Sequence, residues 1–306
     1  MIRPLHPNEV STYKDEWNTG RFVIYKDVID STTSAGQAWH RHMSEELECL
    51  DDSAPAILLN PTSQYRHIKP IVLLSKTRAD FFKEKNCLSQ PNPNHSVSPS
   101  WALLSFYQQN ALLDFIQSIT GWTKVHRIPL KTKGEFEING KVNFYRASDK
   151  SRLDWHFDKV YNLKGRQVVC VLTLQNSWDS QLLKPHTLQI IDSRCSKKKV
   201  KEVYLGGNCM SIHDPDTIFH RVLPFTCPDK INPSEWTRRV LVLRFTDDPT
   251  PTLPFQMTVG AVRFASRHVI FSAQCNREDI ELVSIKILLC ILSSFIVMTI
   301  FARTTG

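Results

Sequence analysis

An α+β fold with a jelly-roll core is what this sequence predicts, and three observations carry the prediction. Apolar residues recur at helical spacing in the amino-terminal part, as in WALLSFYQQNALLDFIQSIT at 101–120. From about residue 123 the text changes to short β-type runs separated by turn-like residues. The carboxyl end then carries an uncharged apolar stretch, ILLCILSSFIVMTIFA at 287–302.

Residues 1 to about 85 mix helix-like and irregular signals. NCLSQPNPNHSVSPS (86–100), rich in Pro, Asn and Ser, reads as an exposed loop that could serve as a lid. The 101–120 stretch reads as a helix packed on a sheet, with Gly121 as its natural stop. The β-type runs that follow are KVHRIPL, GEFEI, KVNFYRA, QVVCVLTLQN, HTLQIID, KEVYL, CMSIH and RRVLVLRFT. Turns are expected at NG (139–140), DKSR (149–152) and GG (206–207). So many short strands in so short a span suggest a sandwich or jelly roll. DDPTPTLP (247–254) closes that domain. The division expected is therefore a mainly helical region packing on the core (1–120), a β core (121–250), a connecting segment (251–284) and a tail (285–303).

The tail is too apolar for an ordinary surface helix. Sixteen residues of helix span about 24 Å, slightly short of a roughly 30 Å hydrocarbon core. Counting back to Leu282, with Lys286 snorkelling to the interface, makes it long enough. A buried core helix would show a polar stripe, and this stretch offers only Ser293, Ser294 and Thr299. A single-pass C-terminal transmembrane anchor is expected, with the bulk of the chain facing the cytosol.

The chain has 306 residues and a formal charge of +8, but the positive excess is dispersed. Its densest run, SKKKVK (196–201), reads as a solvated hairpin tip. No nucleic-acid motif accompanies it, so a nucleic-acid partner is not expected. The 8 cysteines show no CxxC and no paired spacing, as expected of free thiols in a reducing compartment.

The chemistry is concentrated in LDWHFDKVYNLKGR (153–166). In an extended chain, residues two apart share a face, so His156 and Asp158 can aim a nitrogen and an oxygen into one cavity while Phe157 points away. A third ligand is needed. His220, in SIHDPDTIFHRVLPF, follows Asp158 by sixty-two residues and comes after an apolar pair at the start of a strand-like run. Two histidines and one carboxylate on one face of a metal leave three positions open, the arrangement of non-haem Fe(II) oxygenases. A zinc hydrolase can use the same set. The histidines of WHRH (39–42) lack a strand context and a partner acid, and read as surface residues.

A dicarboxylate co-substrate that chelates iron through its keto-acid end leaves a distant carboxylate to be neutralised, a task suited to a guanidinium. Arg238, Arg239 and Arg244 lie in one strand-like run; alternation puts Arg238 and Arg244 on one face and Arg239 on the other.

Residues from about 121 to 250 resemble the core of the Fe(II)/2-oxoglutarate-dependent oxygenase superfamily. The resemblance rests on NFYRASDKSRLDWHFDKVY, GRQVVCVLTLQN, DPDTIFHRV and RRVLVLRF. It implies a double-stranded β-helix, iron held by His156, Asp158 and His220, and 2-oxoglutarate and O2 as co-substrates. It also implies an arginine for the far carboxylate, Arg238 in preference to Arg239, although eighteen residues separate His220 from Arg238 where shorter gaps are usual. Asn143, Tyr145 and Thr173 occupy places where relatives contact the co-substrate. Halogenating relatives replace the acid of the motif by a small residue; Asp158 is present, so hydroxylation of a small-molecule C–H bond is expected. Desaturation and ring closure are variants. The alternatives are a non-catalytic β-helix binding protein and a zinc-dependent hydrolase. Deleting the residues after Glu281 should move the protein from the membrane pellet to the soluble fraction in a fractionation experiment; continued sedimentation with membranes would refute the anchor.

Overall fold

The computed structural model describes residues 2–53, 65–66, 69–74, 103, 106 and 109–252, the last range less 129, 132–136, 149, 160–162, 177–186, 196–198, 225–231 and 233–236. The loop at 86–100, most of the connecting segment and the apolar tail lie outside the described residues. Among the described residues no helix is long and apolar enough to cross a membrane.

The chain opens with helix α1 (Pro7–Gly20), strand β1 (Phe22–Tyr25) and helix α2 (Ser34–Ser53). His6 and Glu9 close a reciprocal cap at the start of α1, and Pro7 fits its first turn. β2 (Tyr65–Arg66) and β3 (Lys69–Leu74) follow, then helix α3 (Asn110–Thr120). Ten further strands complete the described chain. They are β4 (His126–Arg127), β5 (Leu130–Lys131), β6 (Glu137–Arg146), β7 (Arg152–His156) and β8 (Gln167–Asn176). After them come β9 (Thr187–Asp192), β10 (Lys201–Tyr204), β11 (Cys209–His213), β12 (Ile218–Val222) and β13 (Thr237–Thr246).

Two antiparallel sheets result. The larger runs β1-β11-β8-β13-β6-β3, with β4 on β13 and β5 on β6; the smaller runs β10-β9-β12-β7-β2. From β6 to β13 the chain crosses between the sheets at every step except from β9 to β10, in the manner of a jelly roll. The amino-terminal region, expected as mainly helical, also supplies β1 and β3 to the larger sheet and β2 to the smaller one. These strands gain their identity from pairing with β11, β6 and β7 rather than from a periodic pattern of their own.

Both faces of the larger sheet are covered, which explains why QVVCVLTLQN reads as one apolar run. Val168, Cys170 and Leu172 of β8, with Leu241, Leu243 and Phe245 of β13, pack against Trp17, Phe115 and Ile116 of the helices. The alternate residues Val169, Val240 and Val242 face the smaller sheet and meet Leu153, Leu188, Ile190 and Val222. Each such fully buried aliphatic side chain contributes roughly 1.5–3 kcal/mol of transfer free energy. The helices brace one side of the sheet; the other side is left to enclose a cavity.

Two expectations need correction. The helix over 101–120 is not continuous: Leu103 and Phe106 are helical, but Gln109 is extended (φ −66, ψ 129) and α3 starts afresh at Asn110. The Gln109 carbonyl accepts from Arg127, tying the break to β4, which periodicity along one segment could not reveal. The NG at 139–140 is not a turn either, because β6 runs straight through it. Gly140 lies under β13, where a β-carbon would come within 3.1 Å of Leu243 Cδ2. The glycine there serves close packing. The three described cysteines with assigned state, Cys170, Cys195 and Cys209, are free thiols.

Gly165, just before β8, has no room for a side chain: a β-carbon would sit 2.3 Å from Thr246 Oγ1 and 2.5 Å from the Asp248 carbonyl oxygen. Gly165→Ala should lower unfolding free energy by about 1–3 kcal/mol in urea denaturation, the usual cost of overpacking; an unchanged midpoint would show that this junction yields.

Candidate metal centre and adjoining cavity

Alternation along β7 and β12 builds the site. His156 and Asp158 turn inward while Trp155 and Phe157 turn outward; likewise His220 is inward and Phe219 outward. The outward aromatics lock the strands together, Trp155 stacking on Phe219 at 5.1 Å and Phe157 meeting it at 4.8 Å. β12 pairs antiparallel with β7 so that His220 stands directly opposite His156. Their ring centroids are 4.1 Å apart. Lys159 Nζ donates to Asp216 at 2.8 Å, joining the exit of β7 to the approach of β12.

Both imidazoles are oriented by their own backbone. Nδ1 of His156 donates to the Asp154 carbonyl at 2.8 Å, and Nδ1 of His220 to the Ile218 carbonyl at 3.4 Å. The Nε2 lone pairs are thereby left for a ligand. His156 Nε2 is 3.7 Å from Asp158 Oδ1, and His220 Nε2 is 3.5 Å from Oδ2. Donor atoms of His156, Asp158 and His220 all lie within 4.8 Å of one another. With bonds of about 2.1 Å, adjacent donors on an octahedron stand about 3 Å apart. Small inward shifts of the side chains therefore close these donors on one ion, and nitrogen with carboxylate oxygen suits Fe(II). The residues fit the metal.

Charge at the site is arranged for binding. Burial by itself pushes the Asp158 carboxyl up, but the Arg244 guanidinium and a hydrogen bond from His213 outweigh it. The group is held well below the usual carboxylate range. Arg244 donates through Nη1 to the Asp158 carbonyl and through Nη2 to Oδ1 at 3.2 Å. Both ligand histidines approach Asp158 closely enough to favour protonation, yet burial wins and lowers them, His220 strongly with help from His156. Neutral imidazoles beside an ionised carboxylate are the state in which these groups ligate a metal.

The cavity continues from the donors toward Asn143, Tyr145 and Arg238, and Lys141 and Ser211 also line it. Arg238, 3% exposed, donates from Nη2 to Thr173 Oγ1 at 3.1 Å, with its guanidinium 5.9 Å from the Tyr145 ring centre. Burial lowers its pKa below that of an ordinary arginine, opposed in part by Tyr145. Thus Asn143, Tyr145, Thr173 and Arg238 gather on one side of the three donors. Arg239 does not join them: it falls on the face of β13 shared with Leu241, Leu243 and Phe245, which belongs to the helix-covered core. Two site residues had no assigned role in the sequence reading. Arg244 was visible only as sharing a face with Arg238, six positions before it, and alternation did not say which face looks into the cavity. His213 had no signal at all, since CMSIH reads only as a strand.

No family model matches the chain, and no curated protein is significantly similar to it. Solved structures are. A prolyl hydroxylase from Trichoplax adhaerens, solved with a hypoxia inducible factor oxygen degradation domain peptide, matches with a TM-score of 0.50 and 14% identity over 78% of this chain and 90% of that one. The non-haem alpha-ketoglutarate-dependent epimerase SnoN from nogalamycin biosynthesis matches with a TM-score of 0.50 and 9% identity, over 79% of this chain and 84% of that one. The fold is that of the Fe(II)/2-oxoglutarate-dependent oxygenases. Within that fold, β7 with the residues just after it and β12 carry the candidate metal donors, and β13 carries Arg238 and Arg244 on one face.

The lowered histidines set a pH dependence. A folded-state pKa below the unfolded value of about 6.5 means that the unfolded chain binds more protons, so stability falls as pH drops through that value. Asp158, also lowered, acts in the same direction but only below the carboxylate range. Metal-free protein should therefore lose stability between pH 7.5 and 5.5, and His220→Gln should flatten that loss in urea titrations. An equally steep loss in the variant would count against the neutral-histidine site.

Proposed function

We propose that this protein is an Fe(II)/2-oxoglutarate-dependent dioxygenase that hydroxylates a C–H bond of a small molecule. The observation that carries the reading is the three-donor cluster of His156, Asp158 and His220 facing a buried arginine, Arg238, across one cavity. When bound, ferrous iron and 2-oxoglutarate supply the oxidising chemistry: one oxygen atom of O2 enters the substrate as hydroxyl and the other enters succinate, with release of CO2. Asp158 and the imidazoles of His156 and His220 would hold the metal beside the cavity. Arg238 neutralises the far carboxylate of the co-substrate, oriented by Thr173, with Tyr145 and Asn143 beside it. The apolar lining of Val171, Leu188, Leu205, Val222, Val240 and Val242 excludes water from the reacting groups.

Two features speak against the competing readings. A zinc hydrolase needs a second carboxylate near the metal as general base, and among the described cavity residues Asp158 is the one carboxylate. A binding protein has no need of three buried donors in ligating protonation states. Anchorage through residues 285–303, with the catalytic domain on the cytosolic side, belongs to the same proposal, supported by the uncharged run after Lys286 and by the free thiols.

Anaerobic addition of Fe(II) and then 2-oxoglutarate to the full-length protein in detergent should give a weak visible charge-transfer band. His220→Ala should abolish it, and Arg238→Ala should require at least roughly tenfold more 2-oxoglutarate to develop it, as expected for loss of a buried charge-assisted contact. Absence of the band in the wild type would overturn the oxygenase reading.

A further inference from the structure

His213, the last residue of β11, lines the cavity but stands outside the three-donor cluster. Its Nε2 lies 3.3 Å from Oδ2 of Asp158. Its ring meets His220 edge-on, with centroids 4.9 Å apart, and stacks on Phe22 at 6.4 Å. The residue is 2% exposed, and Nδ1 has no hydrogen-bond partner.

This geometry selects one tautomer. A bare Nε2 would set its lone pair against a carboxylate oxygen, two acceptors in contact in a dry site. With the proton on Nε2 the same contact becomes a hydrogen bond to an anion, and Nδ1 is the bare nitrogen. Arg244 already holds the other oxygen of the same carboxylate. A carboxylate gripped at one oxygen can still swing about its Cβ–Cγ bond; gripped at both, it cannot.

We propose that His213 is a positioning residue for the metal-binding carboxylate: its Nε2–H holds Oδ2 of Asp158 while Arg244 holds Oδ1, so that Asp158 is set in place before the ion arrives. The inference rests on the reading of His156, Asp158 and His220 as an iron site. His213 also fills the space between Phe22 and His220, which a phenylalanine would fill equally well. The hydrogen bond and the packing are therefore separable by substitution. Gln can return a donor to about the place of Nε2, whereas Phe cannot.

The test uses full-length protein in detergent, stripped of metal and titrated with Mn(II), with the free ion counted by electron paramagnetic resonance. His213→Phe should weaken Mn(II) binding roughly 10- to 100-fold, the usual loss when a partner of a metal ligand is removed. His213→Gln should stay within about threefold of wild type, because the donor is restored. Equal affinity in His213→Phe, or a loss in His213→Gln as large as in His213→Phe, would overturn the proposal. Nitrogen-15 spectra of histidine-labelled, metal-free wild type supply a readout that needs neither metal nor a folded variant. They should show the Nε2–H tautomer for His213, and an Nδ1–H tautomer would refute the hydrogen bond. A wild type that binds no Mn(II) would sink the metal-site reading itself, a result distinct from either outcome at His213.

Discussion

A buried carboxylate is the constraint on which this structure turns. The Asp158 side chain is only 12% exposed, and an ionised group so placed is costly unless surrounded by donors and cations. Four strands meet that demand: His156 ends β7, His213 ends β11, His220 lies in β12 and Arg244 lies near the end of β13. The two sheets must close on each other with a definite register for those groups to converge. The pairing that sets His220 opposite His156 is what supplies it.

Structural and chemical duties are separated by the pleat. On β13 the residues Leu241, Leu243 and Phe245 join the core beneath the helices, whereas Arg238, Val240, Val242 and Arg244 face the opposite way. β12 divides similarly, with Phe219 in an aromatic cluster and His220 among the donors. Packing of the outward side chains fixes the strands, and hydrogen bonds such as His156 to the Asp154 carbonyl and Arg238 to Thr173 then orient the inward ones. That arrangement lets a cavity exist beside a strand and still be rigid, and it gives the site donors whose tautomers are already set by nearby carbonyls.

Much of the architecture was legible along the chain. The run QVVCVLTLQN is β8 residue for residue, and HTLQIID, KEVYL and CMSIH each became a strand with ends shifted by one residue or none. Strands fail to announce themselves where pairing, not pattern, defines them: β2 is two residues long, and β1 and β3 sit in a stretch whose periodicity is mixed. Gly140 misled because Asn-Gly usually marks a hairpin, whereas here the missing side chain admits Leu243 from the neighbouring strand. The break at Gln109 likewise depends on a contact with distant Arg127.

Local chemistry was decided by the sequence itself. The spacing of His156 and Asp158 puts both on one face of an extended chain whatever surrounds them, and alternation alone separates Arg238 from Arg239. Tertiary structure had to decide everything that depends on two distant segments touching. It brought His220 beside that pair and set Thr173 against Arg238. It also turned His213, an ordinary strand residue by pattern, toward a carboxylate fifty-five positions away. The physical reason is that periodicity specifies which face a side chain takes, while the partner on that face is specified only by register between strands.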